Sequence, residues 1–459
     1  MPGHERIPCS LSCARSVSRS SWRHADAQRS SNWQRSMATR NPTSLPRVEL
    51  LHVFVPTGLS GRLAKHGQHS FTYDTSVLEK GDPVAEVSLT MPLSAQSYST
   101  TPMLPVFQTF LPEGYLRDRI RERFAKVLRV DDMALLALSG GNAIGRLRVS
   151  RERAITPVSG ATESLQEILA DQGSRDLFEH LADTYLIQSG VGGVQPKVLL
   201  PAADDTESSD GEVNPAAPST KRSIGERATL RGRQLIVKIS GPDYPDLSVN
   251  EFHCLSIARN LARSVDLAVP RFWLSADRKR LAIERFDYDR DSGIYSGFED
   301  MVSLQGTVNE KKYEGSYENV AKAIALNAAP DRVRQSLREF FSMLSLSVVL
   351  RNGDAHLKNF GLLYTDPGAD DCRLSPLYDV VCTAVYLERD LPALTLAGAR
   401  AWPDRKTLEG FGRIHCHVHD AADVVDRIIT AATDYRPDDD ESGMWRRMRE
   451  AVESGLTAW

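Results

Sequence analysis

The segment at residues 352–360 most restricts what this chain can fold into. It follows an apolar run typical of a buried helix, precedes an apolar strand pattern, and is linked by one short hairpin to Asp379. Asp354 and Asn359 keep the D-x-x-x-x-N spacing of kinase catalytic loops. Such a loop can direct a carboxylate and an amide oxygen into one cleft, where Asp379 can share a magnesium ion with Asn359. The spacing alone is common by chance, so the surrounding sequence decides whether it marks a catalytic loop.

Upstream, a glycine-rich segment and a lysine-bearing strand supply that context. Residues 190–197 read Gly-Val-Gly-Gly-Val-Gln-Pro-Lys and lead into an apolar strand, whereas a P-loop leads into a helix. Another apolar strand carries Lys238, and a helix pattern with Glu251 in its first turn begins near Ser248. Lysine on a strand and glutamate on the next helix form the ion pair of kinase small lobes. Two other interpretations stay open: Ser248 and Glu251 also fit a capping box, and Lys238 alone could be a surface lysine.

Composition excludes several classes of protein. The 459 residues are 41% hydrophobic and 25% charged, which is ordinary globular usage and long enough for two or three domains. The net charge of -4 gives no overall positive field to attract nucleic acid, so DNA contact is expected to need a partner. The six cysteines indicate no disulfide framework, and the chain has no long apolar run and no signal-peptide core. These features predict reduced thiols and a cytoplasmic protein without membrane spans.

Changes in composition and pattern predict four segments. They are a disordered tail at residues 1–45 in which Met37 is a candidate natural start, a β-rich N-terminal subdomain at 46–155, a small-lobe-like region at 156–300 with a mobile insertion at 202–231, and a helical C-terminal lobe at 301–459. Strands are predicted at residues 48–55, 70–73 and 85–89. The predicted fold class is therefore α+β, a two-lobed protein-kinase-like fold with an additional β-rich N-terminal subdomain.

Together these motifs resemble the HipA family, the serine/threonine kinase toxins of prokaryotic type II toxin–antitoxin systems. The resemblance spans residues 48–440 and includes the family's extra N-terminal subdomain. Its marks are Gly-Val-Gln-Pro-Lys at residues 193–197, Asn250-Glu251, Ile283-Glu-Arg-Phe-Asp287, Lys312-Tyr313-Glu314, Asp354-Ala-His-Leu-Lys-Asn359 and Pro376-Leu-Tyr-Asp379.

The resemblance implies a protein kinase that depends on ATP and magnesium. It implies that Asp354 is the general base and that Asn359 and Asp379 bind the metal. Lys238, in an ion pair with Glu251, would hold the ATP phosphates. The other implied nucleotide-binding residues are Gly192, Gly193, Val194, Gln195, Pro196 and Lys197 over the phosphates, Glu284, Arg285 and Phe286 at the adenine, and His356, Lys358 and Tyr378 in the pocket.

The resemblance also implies partners and regulation. A small helix-turn-helix antitoxin is expected to join this chain on operator DNA, and the implied substrate is a protein hydroxyl on an aminoacyl-tRNA synthetase. Ser189 lies where the family carries an autophosphorylated serine, although this chain has one extra residue between Ser189 and Gln195. A phosphate on Ser189 would bring like charge toward the nucleotide phosphates and so inhibit the enzyme. The other interpretation is an ordinary serine in a loop of small residues.

Two other functions fit part of the pattern. A small-molecule kinase of the aminoglycoside-phosphotransferase type can also carry Gly-Asp followed by Asn, but the β-rich N-terminal subdomain argues against it. A pseudokinase that acts only as an antitoxin-binding corepressor would not need Lys238, Asp354, Asn359 and Asp379 to be intact. ATP binding without transfer to any protein would favour the pseudokinase.

Two late motifs have simpler explanations. His415 and His419 are spaced for one helix face and could hold a metal, but no second ligand pair is evident, so a polar helix start is preferred. The basic stretch at residues 445–449 is expected to be a solvated helix face, with contact to operator DNA as the alternative.

Overall fold

A computed structural model of the chain describes residues 47–124, 129–155, 164–170, 195, 197–202, 233–457 and 459. Several predictions fall outside these residues: the tail at 1–45, nearly all of the insertion at 202–231, and Ser189, Gly192, Gly193, Val194 and Pro196. Within the described part of the chain, no helix has the length and apolar character needed to cross a membrane.

The N-terminal subdomain is built on one antiparallel sheet with the strand order β4-β3-β2-β1-β5. Its strands are β1 (Leu50–Val55), β2 (Gly58–His66), β3 (Gln68–Tyr73), β4 (Tyr98–Thr100) and β5 (Arg148–Ser150). Its helices are α1 (Thr75–Lys80), α2 (Pro105–Gln108), α3 (Gly114–Phe124) and α4 (Asp132–Ser139). Along β3 buried and less buried residues alternate, so that Phe71 and Tyr73 point into the core while their neighbours face outward.

The strand predicted at residues 85–89 is wrong. Pro83 to Ala85 form a short 3-10 turn capped by Asp82, and the following residues run as a loop. Ser88 Oγ donates to Glu299 Oε2 at 2.7 Å, so this loop is held by a side chain rather than by a neighbouring strand. Apolar alternation alone does not distinguish such a loop from a strand.

The small lobe contains a second antiparallel sheet with the order β6-β7-β9-β8. Its elements are α5 (Leu165–Ala170), β6 (Lys197–Ala202), β7 (Arg233–Ile239), α6 (Leu247–Leu261), β8 (Phe272–Leu274) and β9 (Arg280–Glu284). Leu165 and Ile168 of α5 pack on Val198 and Val237 on one face of the sheet. The opposite face is left for the polar residues of the candidate site.

The C-terminal lobe is largely helical around a small sheet. After the β10 (Tyr288–Asp289) and β11 (Ile294–Tyr295) hairpin come β12 (Gly297–Asp300), α7 (Met301–Leu304), α8 (Tyr317–Asn327), α9 (Val333–Val349), β13 (Gly361–Tyr364), β14 (Arg373–Leu374), α10 (Arg405–His415), α11 (Ala421–Asp434) and α12 (Met444–Thr457). Helix α9 is buried along most of its length, and Ser342 inside it donates to the carbonyl of Val265 at 2.8 Å. A central buried helix of this kind holds the loop that follows it in a fixed place.

The N-terminal subdomain packs on the two lobes through two buried carboxylates. Asp287 accepts the backbone N–H of Gly145 at 2.6 Å and pairs with Arg285 at 2.7 Å. Glu299 accepts Ser88 Oγ and the backbone N–H of Leu89, both at 2.7 Å. Because a buried carboxylate is costly unless it is paired, these contacts fix the subdomain on the lobes.

The histidine motif ends at Asp420, the N-cap of helix α11, as the preferred polar helix start predicts, whereas the basic stretch differs from its prediction. Helix α10 ends at His415 and His417 has φ 56, so His415 and His419 do not share a helix face. Among the described residues, no group of three or more His, Cys, Asp or Glu could hold a metal. In α12, Trp445 and Met448 are buried, so the basic stretch is partly core rather than a fully solvated face.

Candidate active site

Two lysines from adjacent strands meet one aspartate. The register of β6 and β7 places Lys197 opposite Lys238, so both side chains point to the same face of the sheet. Lys238 Nζ bonds to Asp379 and lies 2.5 Å from Glu251 Oε1, and Lys197 Nζ lies 3.4 Å from Asp379 Oδ2. Like charges directly opposite on a sheet are unfavourable, so the two carboxylates are needed to hold the lysines together.

Glu251 faces this cluster because of where its helix begins. Helix α6 starts at Leu247, after Asp246, so Ser248 lies inside the helix instead of capping it. Ser248 Oγ donates to the carbonyl of Lys279 at 3.1 Å. The capping-box interpretation is therefore wrong. The surface-lysine interpretation is also wrong, because the side chain of Lys238 is only 3% exposed.

The charges of the cluster perturb one another. Burial alone would lower the pKa of Lys238, but Asp379 and Glu251 raise it above its ordinary value. Burial alone would raise the pKa of Asp379, but Lys197 and Lys238 lower it well below the usual range. The pKa of Lys197 is lowered, first by burial, with Asp379 opposing the shift. Strongly perturbed groups of this kind concentrate at functional sites.

Asp379 itself has an uncommon backbone conformation. Its φ of 53 lies in the left-handed region, which residues other than glycine rarely adopt. The preceding Tyr378 is fixed on both sides: its ring centroid lies 5.5 Å from that of Phe286, and its hydroxyl donates to the carbonyl of Lys358 at 2.7 Å. The conformation of Asp379 is thus set by its neighbours, as is typical of residues with a function.

The catalytic-loop segment follows α9 directly. Arg351 ends the helix with φ 57, and the backbone N–H of Asp354 donates to Asn352 Oδ1 at 3.1 Å. The hydroxyl of Tyr313 donates to Asp354 Oδ1 at 2.9 Å. Burial raises the pKa of Asp354 above its ordinary value, and the hydrogen bond from Tyr313 partly opposes this. A carboxylate with a raised pKa is suited to accept a proton.

Asn359 and His356 form a tight turn beside Asp354. The backbone N–H of His356 donates to Asn359 Oδ1 at 2.9 Å. Burial, followed by the charge of Lys312, lowers the pKa of His356 to about 3, so the ring is neutral at physiological pH. Its Nδ1 is buried and has no partner among the described residues. A buried ring nitrogen without a partner is the kind of group that a ligand satisfies.

The residues present suit a nucleotide with magnesium. The amide oxygen of Asn359 and the carboxylate of Asp379 are the hard oxygen donors that magnesium prefers. Two buried ammonium groups, on Lys197 and Lys238, suit phosphate oxygens, and the free Nδ1 of His356 offers a further polar contact. These side chains therefore fit both magnesium and the phosphates of a nucleotide.

The residues expected at the adenine have different surroundings. Phe286 packs its ring on Tyr378. The guanidinium of Arg285 is buried against Asp287 and donates to the carbonyl of Ala143 at 2.8 Å, so its side chain belongs to the contact with the N-terminal subdomain. Arg285 also donates its backbone N–H to the carbonyl of Gln234, and Glu284 pairs with Arg233 at 3.4 Å.

Two further nucleotide-pocket candidates also have partners of their own. Gln195 Nε2 donates to the carbonyl of Ile239 at 3.2 Å. Lys358 Nζ lies 3.1 Å from Glu113 Oε1 and donates to Asn309 Oδ1 at 3.0 Å. The contacts described for the Lys358 ammonium group are thus with Glu113 of the N-terminal subdomain and with Asn309 and Asp300 of the C-terminal lobe, and not with the cluster around Asp379.

Sequence reasoning missed several residues that hold the loop. Tyr313 belongs to a family motif to which no role is assigned, and Glu113 belongs to none of the motifs. The backbone N–H of Gly353 donates to Thr383 Oγ1 at 2.6 Å, and Thr383 Oγ1 donates to Asp390. No local pattern marks Thr383 or Asp390, because both act through contacts that only the fold creates.

Comparisons with known proteins show the family of this chain. A family model described as the HipA-like C-terminal domain matches residues 189–436, and a model described as the HipA N-terminal domain matches residues 51–150. The chain belongs to the HipA family. The first match alone covers more than half of the chain and includes all of the candidate site residues.

Curated relatives of this HipA chain carry kinase names. "Putative kinase Y4dM" of Sinorhizobium fredii is 26% identical over 373 residues, covering 77% of this chain and 82% of the relative. "Putative kinase Y4mE" of the same organism is 27% identical over 354 residues, covering 74% and 78%. A "Putative kinase" of Haemophilus influenzae is 30% identical over 166 residues, covering 33% and 46%.

A solved structure shares the fold. HipA of Shewanella oneidensis MR-1, determined with HipB and its operator DNA, aligns over 89% of this chain and 97% of its own, with a TM-score of 0.58 and 18% identity. The predicted fold class, α+β with a β-rich N-terminal part and a helical C-terminal part, is thereby confirmed.

Proposed function

We propose that this HipA chain is a serine/threonine protein kinase toxin that uses ATP and magnesium. The observation that supports this most is the buried Lys238, which bonds at once to Glu251 and to Asp379. A lysine held in this way is the phosphate-binding group of protein kinases. The kinase names of the curated relatives agree with the proposal.

Each residue has a defined task in the proposed reaction. Lys238 and Lys197 bind phosphate oxygens, and neutral His356 offers its free ring nitrogen. Asp354 accepts the proton of the acceptor hydroxyl while that oxygen bonds to the γ-phosphorus and the bond to the β–γ bridging oxygen breaks, releasing ADP. Magnesium, held by Asn359 and Asp379, would supply charge neutralisation on the phosphates.

The rest of the nucleotide site is also a proposal. Glycine-loop residues 192–197 cover the phosphates, and Phe286 and Tyr378 border the adenine. Arg285 and Glu284 would contact the adenine only through backbone groups, because their side chains pair with Asp287 and Arg233. Ser189 is the proposed site of autophosphorylation.

The proposed partners are an antitoxin and DNA. The Shewanella relative was solved with HipB and its operator DNA, and a helix-turn-helix antitoxin is proposed to serve this chain in the same way. The net charge of -4 favours DNA contact through the antitoxin. The proposed substrate is a serine or threonine of an aminoacyl-tRNA synthetase in the cytoplasm.

Expression in cells tests the proposed kinase and toxin activity. Wild-type protein should arrest growth and add phosphate to a serine or threonine of a host protein, detected by mass spectrometry, and Asp354→Ala should do neither at equal abundance. Phosphate on small metabolites alone would favour the small-molecule kinase. Binding of ATP with no transfer to any acceptor would favour the pseudokinase.

A further inference from the structure

Glu113 of the N-terminal subdomain reaches the catalytic loop. It directly precedes helix α3, and its carboxylate accepts Lys312 Nζ at 3.1 Å and pairs with Lys358 Nζ at 3.1 Å. Lys358 lies between Asp354 and Asn359 in the loop itself. One carboxylate from outside the two lobes therefore contacts two cations of the region that holds the proposed base.

The lysine beside Tyr313 extends this link to the base. Lys312 and Tyr313 are consecutive, and the hydroxyl of Tyr313 donates to Asp354 Oδ1 at 2.9 Å. The backbone also connects them, because the N–H of Leu357 donates to the carbonyl of Lys312 at 3.1 Å. A displacement of Lys312 would thus displace both the catalytic loop, through Leu357, and the Tyr313 hydroxyl that donates to Asp354.

A second contact from the same subdomain reaches Lys358 by another route. Gln108 at the end of α2 accepts the backbone N–H of Asn309 on its Oε1 at 2.9 Å, and its carbonyl accepts Asn309 Nδ2 at 3.0 Å. Asn309 Oδ1 in turn accepts Lys358 Nζ at 3.0 Å. Lys358 is therefore held by the N-terminal subdomain directly, through Glu113, and indirectly, through Gln108.

The positive charges of Lys358 and Lys312 keep the Glu113 carboxylate ionised. Burial alone would raise the pKa of Glu113, but Lys358 and Lys312 lower it to about 2, so the carboxylate is ionised at neutral pH. The remaining carboxylate near Lys358 is Asp300, at 3.6 Å, whose Oδ1 also caps helix α7 by accepting the backbone N–H of Ser303. Without Glu113, the largely buried Lys312 would lose the carboxylate that pairs with it, and Lys358 would be left with the longer pair to Asp300. A buried ammonium group that loses its carboxylate is costly, so both lysine side chains are expected to move.

We propose that Glu113 is a positioning residue of the phosphotransfer site. It fixes Lys358 and Lys312, and through Tyr313 it orients the carboxylate of Asp354, so the site is complete only with the N-terminal subdomain in place. This inference rests on the proposed kinase function. The N-terminal subdomain thereby takes part in catalysis.

Four variants of the full chain test the inference. Glu113→Gln removes the charge, and Glu113→Asp keeps the charge on a shorter side chain. Tyr313→Phe removes only the Tyr313 hydroxyl that donates to Asp354. Ser88→Ala is the matched control. It removes a contact between the subdomain and Glu299, and the hydrogen bonds of the Ser88 hydroxyl do not involve the catalytic loop. The assay measures labelled phosphate transfer from magnesium-ATP to proteins of a cell extract, the dissociation constant of magnesium-ATP, and thermal unfolding.

If Glu113 positions the site, its replacement lowers turnover while nucleotide binding is retained. Glu113→Gln and Tyr313→Phe should lower kcat about tenfold or more, with the dissociation constant of magnesium-ATP changed by less than about twofold. Glu113→Asp should recover part of the loss, and Ser88→Ala should keep wild-type kcat.

Other results would overturn it. If kcat of Glu113→Gln, corrected for the folded fraction, equals that of Ser88→Ala, Glu113 is only a docking contact. The same conclusion follows if Glu113→Gln fails to fold and Tyr313→Phe has wild-type kcat. If wild-type protein transfers no phosphate at all, the proposed function fails and this inference fails with it, whereas an active wild type with an equally active Glu113→Gln overturns the inference alone.

Discussion

Tyr313 donates its hydroxyl hydrogen to Asp354 Oδ1 at 2.9 Å, on the carboxylate proposed to take the substrate's proton. Burial raises the pKa of Asp354 above its ordinary 3.8, and the hydrogen bond from Tyr313 holds part of that rise back. A general base acts only when it is deprotonated, so kcat should rise with pH through this raised pKa.

Replacing Tyr313 should move that dependence in a known direction. Tyr313→Phe removes the donor that stabilises the carboxylate, so the pKa of Asp354 should rise further and the acid limb of the kcat profile should shift to higher pH. Phosphate transfer measured across the acid side of neutrality checks this. An acid limb at the same pH in both proteins contradicts the role of the hydrogen bond.

Glu251→Gln should weaken both folding and nucleotide binding. The pair of Lys238 and Glu251 is buried, with side chains 3% and 0% exposed. Removing the charge of Glu251 would leave Asp379 as the carboxylate that pairs with both Lys238 and Lys197, and breaking a buried pair is strongly destabilising. We expect the free energy of unfolding to fall by about 3 kcal/mol and the dissociation constant of magnesium-ATP to rise. Urea unfolding and calorimetric titration measure the two effects.

A surface ion pair gives the control for this prediction. Arg449 and Glu453 lie 3.1 Å apart with side chains 46% and 56% exposed, where ion pairs contribute little. Glu453→Gln should change the free energy of unfolding by less than about 0.5 kcal/mol. Equal losses in Glu453→Gln and Glu251→Gln would show that burial of the Lys238 pair has no special effect.

Glu113 should make stability depend on pH. Its pKa is about 2 in the folded chain against an ordinary 4.5, so the folded state favours the ionised form. The stabilisation is fully present above pH 4.5 and is lost as the pH falls toward 2, and it corresponds to about 3 kcal/mol. The difference in unfolding free energy between wild type and Glu113→Gln should therefore shrink as the pH falls from 4.5 toward about 2. A difference that grows with acid would have the wrong sign.

Gly353→Ala should displace the loop before Asp354. A Cβ at residue 353 would meet the carboxylate of Asp390, which accepts a hydrogen bond from Thr383. Because Thr383 also holds the backbone N–H of Gly353, moving Asp390 loosens the loop, and kcat should fall about tenfold or more. Transfer of labelled phosphate measures the loss.

Another glycine provides the matched comparison. A Cβ on Gly410, within helix α10, meets nothing within 4 Å, so Gly410→Ala should keep wild-type kcat and stabilise the helix by up to about 1 kcal/mol. Full activity in Gly353→Ala would mean that the loop tolerates the displaced Asp390.

Local patterns predicted much of the framework and part of the candidate site. The α+β class is confirmed, and the lysine strand, the Glu251 helix and the long helix before the loop lie close to where periodicity predicts them. These features depend on neighbouring residues, which the sequence records directly. That Lys238 bonds to Asp379, across 141 positions of the chain, follows only from the fold.

The failures share a physical cause. Residues 85–89 alternate like a strand, but Ser88 and Leu89 bond to the side chain of Glu299, 211 and 210 positions away. Glu113 fits a helix start equally well whether or not Lys312, 199 positions later, lies beside it. Contacts between residues so far apart in the chain produce no periodic pattern in the sequence.

The central claim is that Asp354 is the base of a phosphotransfer reaction to protein. The most direct test compares purified wild type with Asp354→Asn, which keeps the size of the side chain, in transfer of the labelled γ-phosphate of magnesium-ATP to proteins of a cell extract. We expect labelled serine or threonine with the wild type and a rate at least about a hundredfold lower with Asp354→Asn, at equal affinity for magnesium-ATP. Equal rates in the two proteins would contradict it.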